Sequence, residues 1–204
     1  MKVGVLIPYR GTSMDKSRLR KSITNKIVDE LLYQMTQQVI TTSTTLSEEF
    51  NTYLLTKNDS VKFDGNFTIL KDQGEMLNDS IELAINSLKE DIILIVMADL
   101  PLVRKEDLER IVNLHKTGME VIIAPSSDNG TSLLCFNSKK PFNFVFGNNS
   151  AVEYQKIFTE KGIKFKLLKH EKYYCDIDRF KDLREIKGFD FIPNWLKKIV
   201  DAVV

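Results

Sequence analysis

Residues 91–101 read DIILIVMADLP, an unbroken apolar run that ends at a single carboxylate, Asp99. A run apolar on both faces fits an interior strand of a parallel sheet covered by helices, and α/β proteins place their ligands at the carboxyl ends of such strands. Pro101 stops the ladder, and Arg104 to His115 resumes with Leu108, Ile111, Val112 and His115 at helical spacing. Asp99 therefore stands at a strand-to-loop corner. A carboxylate there is either a ligand-facing group in a crevice or a loop residue that caps the next helix, and this stretch alone leaves both readings open.

Working outward, the periodicities alternate. Val3 to Pro8 reads as a buried strand, and Lys26 to Ile40 carries Ile27, Val28, Leu31, Leu32, Met35 and Val39 at helical spacing. Thr52 to Thr56 and Phe67 to Leu70 read as short strands. Asn78 or Asp79 caps a helix bearing Ile81, Ala84, Ile85 and Leu88. Beyond Asp99 come its helix and strands at Val121 to Ala124, Ser132 to Phe136 and Lys164 to Leu168. Further helices are read at Ala151 to Lys161 and Asp190 to Val204. This rhythm predicts a single α/β domain over residues 1–204, three-layer α/β/α with a mostly parallel sheet.

The composition excludes some functions. Across 204 residues, 29 Lys and Arg face 28 Asp and Glu, a net charge of +1 that argues against general attraction to nucleic acid or an anionic membrane. The opening MKVGVLIPYRG has too short an apolar run and no small-residue cleavage site for a signal peptide, and no run approaches the ~20 residues of a membrane span. A soluble, cytoplasmic protein is expected. Cys135 and Cys175 lack C-x-x-C spacing and read as buried thiols; His115 and His170 read as structural. Chemistry here should use carboxylates or need no base.

Four segments could carry it. The first strand empties into PYRGTSMDKSRLRKS, residues 8–22, where Arg10, Lys16, Arg18, Arg20 and Lys21 suit a polyphosphate, or form a solvated basic turn; the spacing is not that of a Walker loop. APSSDNGTS, residues 124–132, ends a strand and turns through Asp128, Asn129 and Gly130 toward the hydroxyls of Thr131 and Ser132. FGNNS leads into a helix with Ser150 and Glu153 at capping-box spacing. CDID puts Asp176 and Asp178 on one face of an extended segment, where with Asp99 they would make an oxygen site for Mg²⁺, or a polar strand end before a helix cap.

In this order the segments resemble the 2-phospho-L-lactate guanylyltransferase family of deazaflavin coenzyme biosynthesis. The residues that carry the resemblance are Ile7-Pro8, Lys16-Ser17-Arg18-Leu19, Leu77-Asn78, Asp99-Leu100-Pro101, Ala124-Pro125 with Gly130-Thr131, Phe146-Gly147 with Ser150, and Asp176-Ile177-Asp178. It departs from the family at Arg10, Ser132, Asn149 and near Tyr154. The resemblance implies a nucleotide-diphospho-sugar transferase-like fold and transfer of GMP from GTP to a phosphorylated three-carbon acid. It implies Mg²⁺ on Asp99, Asp176 and Asp178, catalytic roles for Lys16, Arg18 and Asp99, and nucleotide contacts from Arg10, Lys16 and Asn78. Thr131, Gly147 and Ser150 would face the acceptor. Phosphoenolpyruvate, 3-phosphoglycerate, a sugar phosphate or a pterin phosphate remain rival acceptors, and a retaining sugar transferase or a non-catalytic nucleotide-binding regulator remain rival functions. A homodimer is left open.

Overall fold

In the structure, a computed structural model, residues 1–11, 16–58, 60–139, 142–189 and 191–204 are described. Thr12 and Ser13, hydroxyl residues of the basic segment, lie outside them, as does Asp190, the expected start of the last helix. In chain order the elements are β1 (Val3–Pro8), α1 (Ser17–Arg20), α2 (Asn25–Thr44), β2 (Phe50–Thr56), β3 (Thr68–Lys71), α3 (Leu77–Ser87), β4 (Ile92–Val96) and α4 (Lys105–Lys116). There follow β5 (Val121–Pro125), β6 (Thr131–Asn137), α5 (Ser150–Glu160), β7 (Phe165–Leu167), α6 (Glu171–Tyr174), α7 (Phe180–Ile186) and α8 (Asn194–Val203).

The strands form one seven-stranded sheet in the order β3-β2-β1-β4-β6-β5-β7. β6 alone runs against its neighbours β4 and β5; every other pairing is parallel. Its reversal follows from the turn after Pro125, where Asn129 takes a left-handed φ of 63° and the Ser126 N–H donates to the Gly130 carbonyl. A hairpin returns the chain alongside itself, whereas a parallel partner needs a long crossover.

Strand order reverses at β1 and β4, so their carboxyl ends splay apart and open a crevice. Both strands are buried on both faces. From β4, Ile92, Leu94 and Val96 enter one core cluster with α2 and α4, while Ile93 and Ile95 enter another with α3 and α5. Each buried aliphatic side chain contributes roughly 1.5–3 kcal/mol. A third cluster joins α1, α2, α7 and α8 through Leu19, Leu31, Met35, Leu183 and Leu196, packing the C-terminal helices beside the crevice.

Two helix starts differ from expectation. Ser150 does not cap α5; Asn149 occupies the cap position with φ 56° and makes no side-chain capping bond. The reason is local competition, because the buried Ser150 hydroxyl is bonded to that of Thr131 at 2.8 Å. At α3 the Asp79 carboxylate accepts the Met76 N–H, whereas Asn78 turns away toward Phe146. Among the described residues no helix is long and apolar enough to cross a membrane.

Candidate active site

Lys16, Asp99 and Asp178 come from segments up to 162 residues apart and meet at the carboxyl ends of β1 and β4. β4 delivers Asp99 just past Val96. Lys16 is the N-cap of α1, and its carbonyl accepts the N–H groups of Leu19 and Arg20. Asp178 precedes α7, and its N–H and that of Arg179 both donate to the Asp182 carboxylate. That local cap fixes the backbone that carries Asp178.

The Lys16 ammonium bridges the two carboxylates, at 2.6 Å from Asp99 and paired also with Asp178. Its side chain is 8% exposed, against 27% for Asp99 and 39% for Asp178, so the cation is the enclosed partner. Burial by itself would lower the lysine pKa, but the two carboxylates outweigh it and hold the group above its ordinary range. Lys16 also has φ 55°, a left-handed backbone that costs a non-glycine residue of order 1 kcal/mol. The two ion pairs retain it there.

Asp176 lies alongside, separated from Asp178 by the buried Ile177. The Ser127 hydroxyl donates to the Asp176 carboxylate at 3.1 Å. Burial, then the charges of Asp99 and Asp178, push its pKa up to about 6. Three carboxylates thus feel one another around a single ammonium. Their donor chemistry, oxygen without thiol or imidazole, fits a hard divalent cation such as Mg²⁺. Among the described residues no three such side chains converge on one point, so Asp99 and Asp178 form the close pair and Asp176 adjoins it.

Two clefts meet at this cluster. The first, about 260 Å³, has apolar walls from Pro8, Leu32, Leu77, Met97 and Ala98, with Tyr9, Arg10, Lys16, Asp99 and Asp178 at its polar side. The second, about 280 Å³, is lined by Lys16, Ser17, Arg18, Asp128, Asn148 and Asp178. Lys16 and Asp178 belong to both. In the second, burial pushes the Asp128 carboxyl up, yet the Ser126 hydroxyl, the Gly130 N–H and the Arg18 charge hold it below the usual carboxylate range.

The other expected site residues divide by place. Arg10 reaches the apolar-walled cleft and Arg18 the polar one. Thr131 and Ser150 are buried and bonded to each other, and neither lines the polar cleft. Gly147, exposed with φ 143°, starts the bend that presents Asn148. Asn78 has both ends of its amide on the Phe146 backbone. Asp128 and Asn148 on the polar cleft, Ser127 on Asp176 and Asp182 behind Asp178 are site residues that the spacing of the sequence does not mark. The Asp-Asn-Gly turn at a strand end was the one local signal that could have pointed to Asp128.

The chain has relatives both in sequence and in structure. The 2-phospho-L-lactate guanylyltransferase of Methanocaldococcus vulcanius is 27% identical over 186 residues, covering 89% of this chain and 83% of its own. That of Methanococcoides burtonii is 29% identical over 187 residues, covering 89% and 81%. Among solved structures, a Desulfovibrio desulfuricans G20 protein assigned to the nucleotide-diphospho-sugar transferases superposes with a TM-score of 0.83 at 16% identity, covering 100% of this chain and 97% of its own. CMP:2-keto-3-deoxy-manno-octonic acid synthetase, solved with CTP, gives 0.60 at 12% identity, covering 92% and 98%. These distant structures establish a nucleotidyltransferase-type fold. The match to one family runs over residues 3–200, nearly end to end, and on it the chain belongs to the guanylyl transferase CofC-like family.

Proposed function

We propose that the protein transfers GMP from GTP to 2-phospho-L-lactate, giving lactyl-2-diphospho-5'-guanosine and pyrophosphate. The observation that carries this reading is the junction of two unlike clefts at Lys16 and Asp178. The apolar-walled cleft suits a base and ribose, and the polar cleft suits a small anionic acceptor. The relatives' activity and the family membership support the same assignment.

In the reaction a phosphate oxygen of the acceptor attacks the α-phosphorus of GTP. A new P–O bond forms, the bond from the α-phosphorus to the bridging oxygen breaks, and pyrophosphate leaves with the electron pair. No base is required, since a phosphomonoester with a second pKa of about 6 is largely ionised at neutral pH. The task is to bring two anions together in line. Arg10 and Lys16 would neutralise the triphosphate from the first cleft, and Arg18 the acceptor from the second. Asp99 and Asp178, with Asp176 beside them, would hold Mg²⁺, which supplies charge neutralisation at the phosphates when bound. A cytoplasmic setting goes with this reading, because both substrates are intracellular phosphate esters.

The test is pyrophosphate release by the purified protein with Mg²⁺, each of the four nucleoside triphosphates, and 2-phospho-L-lactate, phosphoenolpyruvate or 3-phosphoglycerate. Release with GTP and 2-phospho-L-lactate above all other pairs is expected. A preference for phosphoenolpyruvate would keep guanylyl transfer and change the acceptor, and silence with every pair would overturn the assignment.

A further inference from the structure

Asn78 lies in the first turn of α3 next to Leu77, a wall of the apolar cleft, yet its side chain is committed elsewhere. The Phe146 N–H donates to its Oδ1 at 2.8 Å, and its Nδ2 donates to the Phe146 carbonyl at 3.2 Å. An amide that satisfies both backbone groups of one residue is a two-point clamp, with little freedom to slide or rotate. The clamped residue stands 68 positions away, immediately before Gly147 and the bend that places Asn148 in the polar cleft.

The rest of that segment is tied down on both sides of the bend. The Tyr154 hydroxyl accepts the Val145 N–H at 3.1 Å, and Phe146 packs on the Tyr154 ring with centroids 5.7 Å apart. Beyond the bend, Ser150 is bonded to Thr131 and the Ala151 N–H donates to the Asn129 carbonyl. Between these ties, residues 147–149 are exposed and carry two positive φ angles, at Gly147 and Asn149. A short bend of this kind is placed by its flanks, because it makes no core of its own.

We infer that Asn78 is a positioning residue for the acceptor cleft, holding the 145–150 segment in register with α3 rather than touching the nucleotide. The inference rests on the proposed guanylyl transfer for the identity of the acceptor, and on the geometry alone for the clamp. It ties the two clefts mechanically. α3 contributes a wall to one and, through Asn78, sets the position of Asn148 in the other.

Asn78→Ala tests this, read by substrate kinetics and by amide hydrogen exchange at Phe146. The expected result is a KM for 2-phospho-L-lactate raised about tenfold, a GTP KM within twofold, and at least tenfold faster exchange at Phe146. Asn78→Asp keeps an acceptor for the Phe146 N–H but turns a carboxylate oxygen onto the Phe146 carbonyl; it should raise the same acceptor KM and serves if the alanine variant does not fold. Tyr154→Phe, which cuts the neighbouring tie at Val145, should shift the same acceptor parameter in the same direction. A raised GTP KM with an unchanged acceptor KM would overturn the inference by placing Asn78 on the nucleotide. A lowered melting temperature with both KM values unchanged would overturn it as well, leaving a purely structural contact. The exchange measurement needs no substrate, so if the unsubstituted protein turned over no nucleotide, unchanged protection at Phe146 in Asn78→Ala would still refute the clamp, and lost protection would uphold it.

Discussion

The two ends of the sheet handle their carboxylates in opposite ways. Near the N-terminal ends of β1, β2 and β4, Glu90 is nearly buried and fully met: Asn51 Nδ2 donates at 2.7 Å, the Tyr53 hydroxyl at 2.6 Å and the Lys89 N–H at 3.0 Å. Burial pushes the Glu90 carboxyl up, but the bonds from Tyr53 and Asn51 overcome it and hold the group below its ordinary 4.5. At the carboxyl ends, Asp99 and Asp178 share one ammonium with Asp176 beside them, and Asp176 is pushed up to about 6. Glu90 is met by neutral donors, whereas the other end keeps like charges together. The first arrangement stabilises the fold; the second is what a site for anionic substrates requires, at a cost to the fold.

The largest effect should come from the crowded end. Asp99→Asn keeps the shape and removes a charge, so turnover should fall at least about 10³-fold, on the order of 4 kcal/mol of transition-state stabilisation, while the thermal melt stays cooperative. Retained activity with an unchanged Mg²⁺ dependence would remove Asp99 from the reaction. Next in size, Lys16→Ala should lower kcat about 10²-fold, roughly 2.7 kcal/mol, with a smaller change in acceptor KM. A raised acceptor KM at constant kcat would move Lys16 wholly into the polar cleft.

The satisfied end should respond in stability alone. Glu90→Ala strands the Asn51 and Tyr53 donors and should cost about 2 kcal/mol in urea unfolding, with kcat within twofold of the unsubstituted protein. The sign with pH follows from the lowered pKa: the contribution is present above 4.5, the ordinary value, and is lost as pH falls through the folded value. The stability difference between the parent and Glu90→Gln should therefore shrink below that pH. The smallest effect is opposite in sign. Asp176 takes up its proton more tightly in the folded state, so stability is lost as pH rises from 3.8, its ordinary value, to about 6. In divalent-free buffer at pH 7, Asp176→Asn should stabilise the fold by about 1 kcal/mol, discounted because the side chain is partly exposed. Destabilisation instead would mean that the crowding at this end is compensated.

Much of this contrast was legible at one end only. The apolar runs at Val3 to Pro8 and 92–96 announced buried strands, and Asp99 and the paired aspartates of CDID stood out against them. Glu90 did not, because in KEDIILI it looks like one more surface charge, and the donors that make it a buried anchor sit 37 and 39 residues away. The same reason hid the role of Asn78 and turned Ser150 from an expected cap into a partner of Thr131. Local spacing reports propensity, whereas these contacts are decided by which strand end or turn the fold brings alongside. The reversal of β6 lay between the two cases, since Asn129-Gly130 signalled a hairpin in a chain otherwise read as βαβ units.

The most direct test of the central claim follows the oxygen. With 2-phospho-L-lactate carrying ¹⁸O on its three non-ester phosphate oxygens, attack on the α-phosphorus of GTP should place one label in the new P–O–P bridge. The remaining label should stay on the lactyl phosphorus, and the pyrophosphate should be unlabelled, all read by ³¹P isotope shifts. Labelled pyrophosphate, or release of GDP, GMP or orthophosphate in place of the bridged product, would contradict guanylyl transfer at the junction of the two clefts.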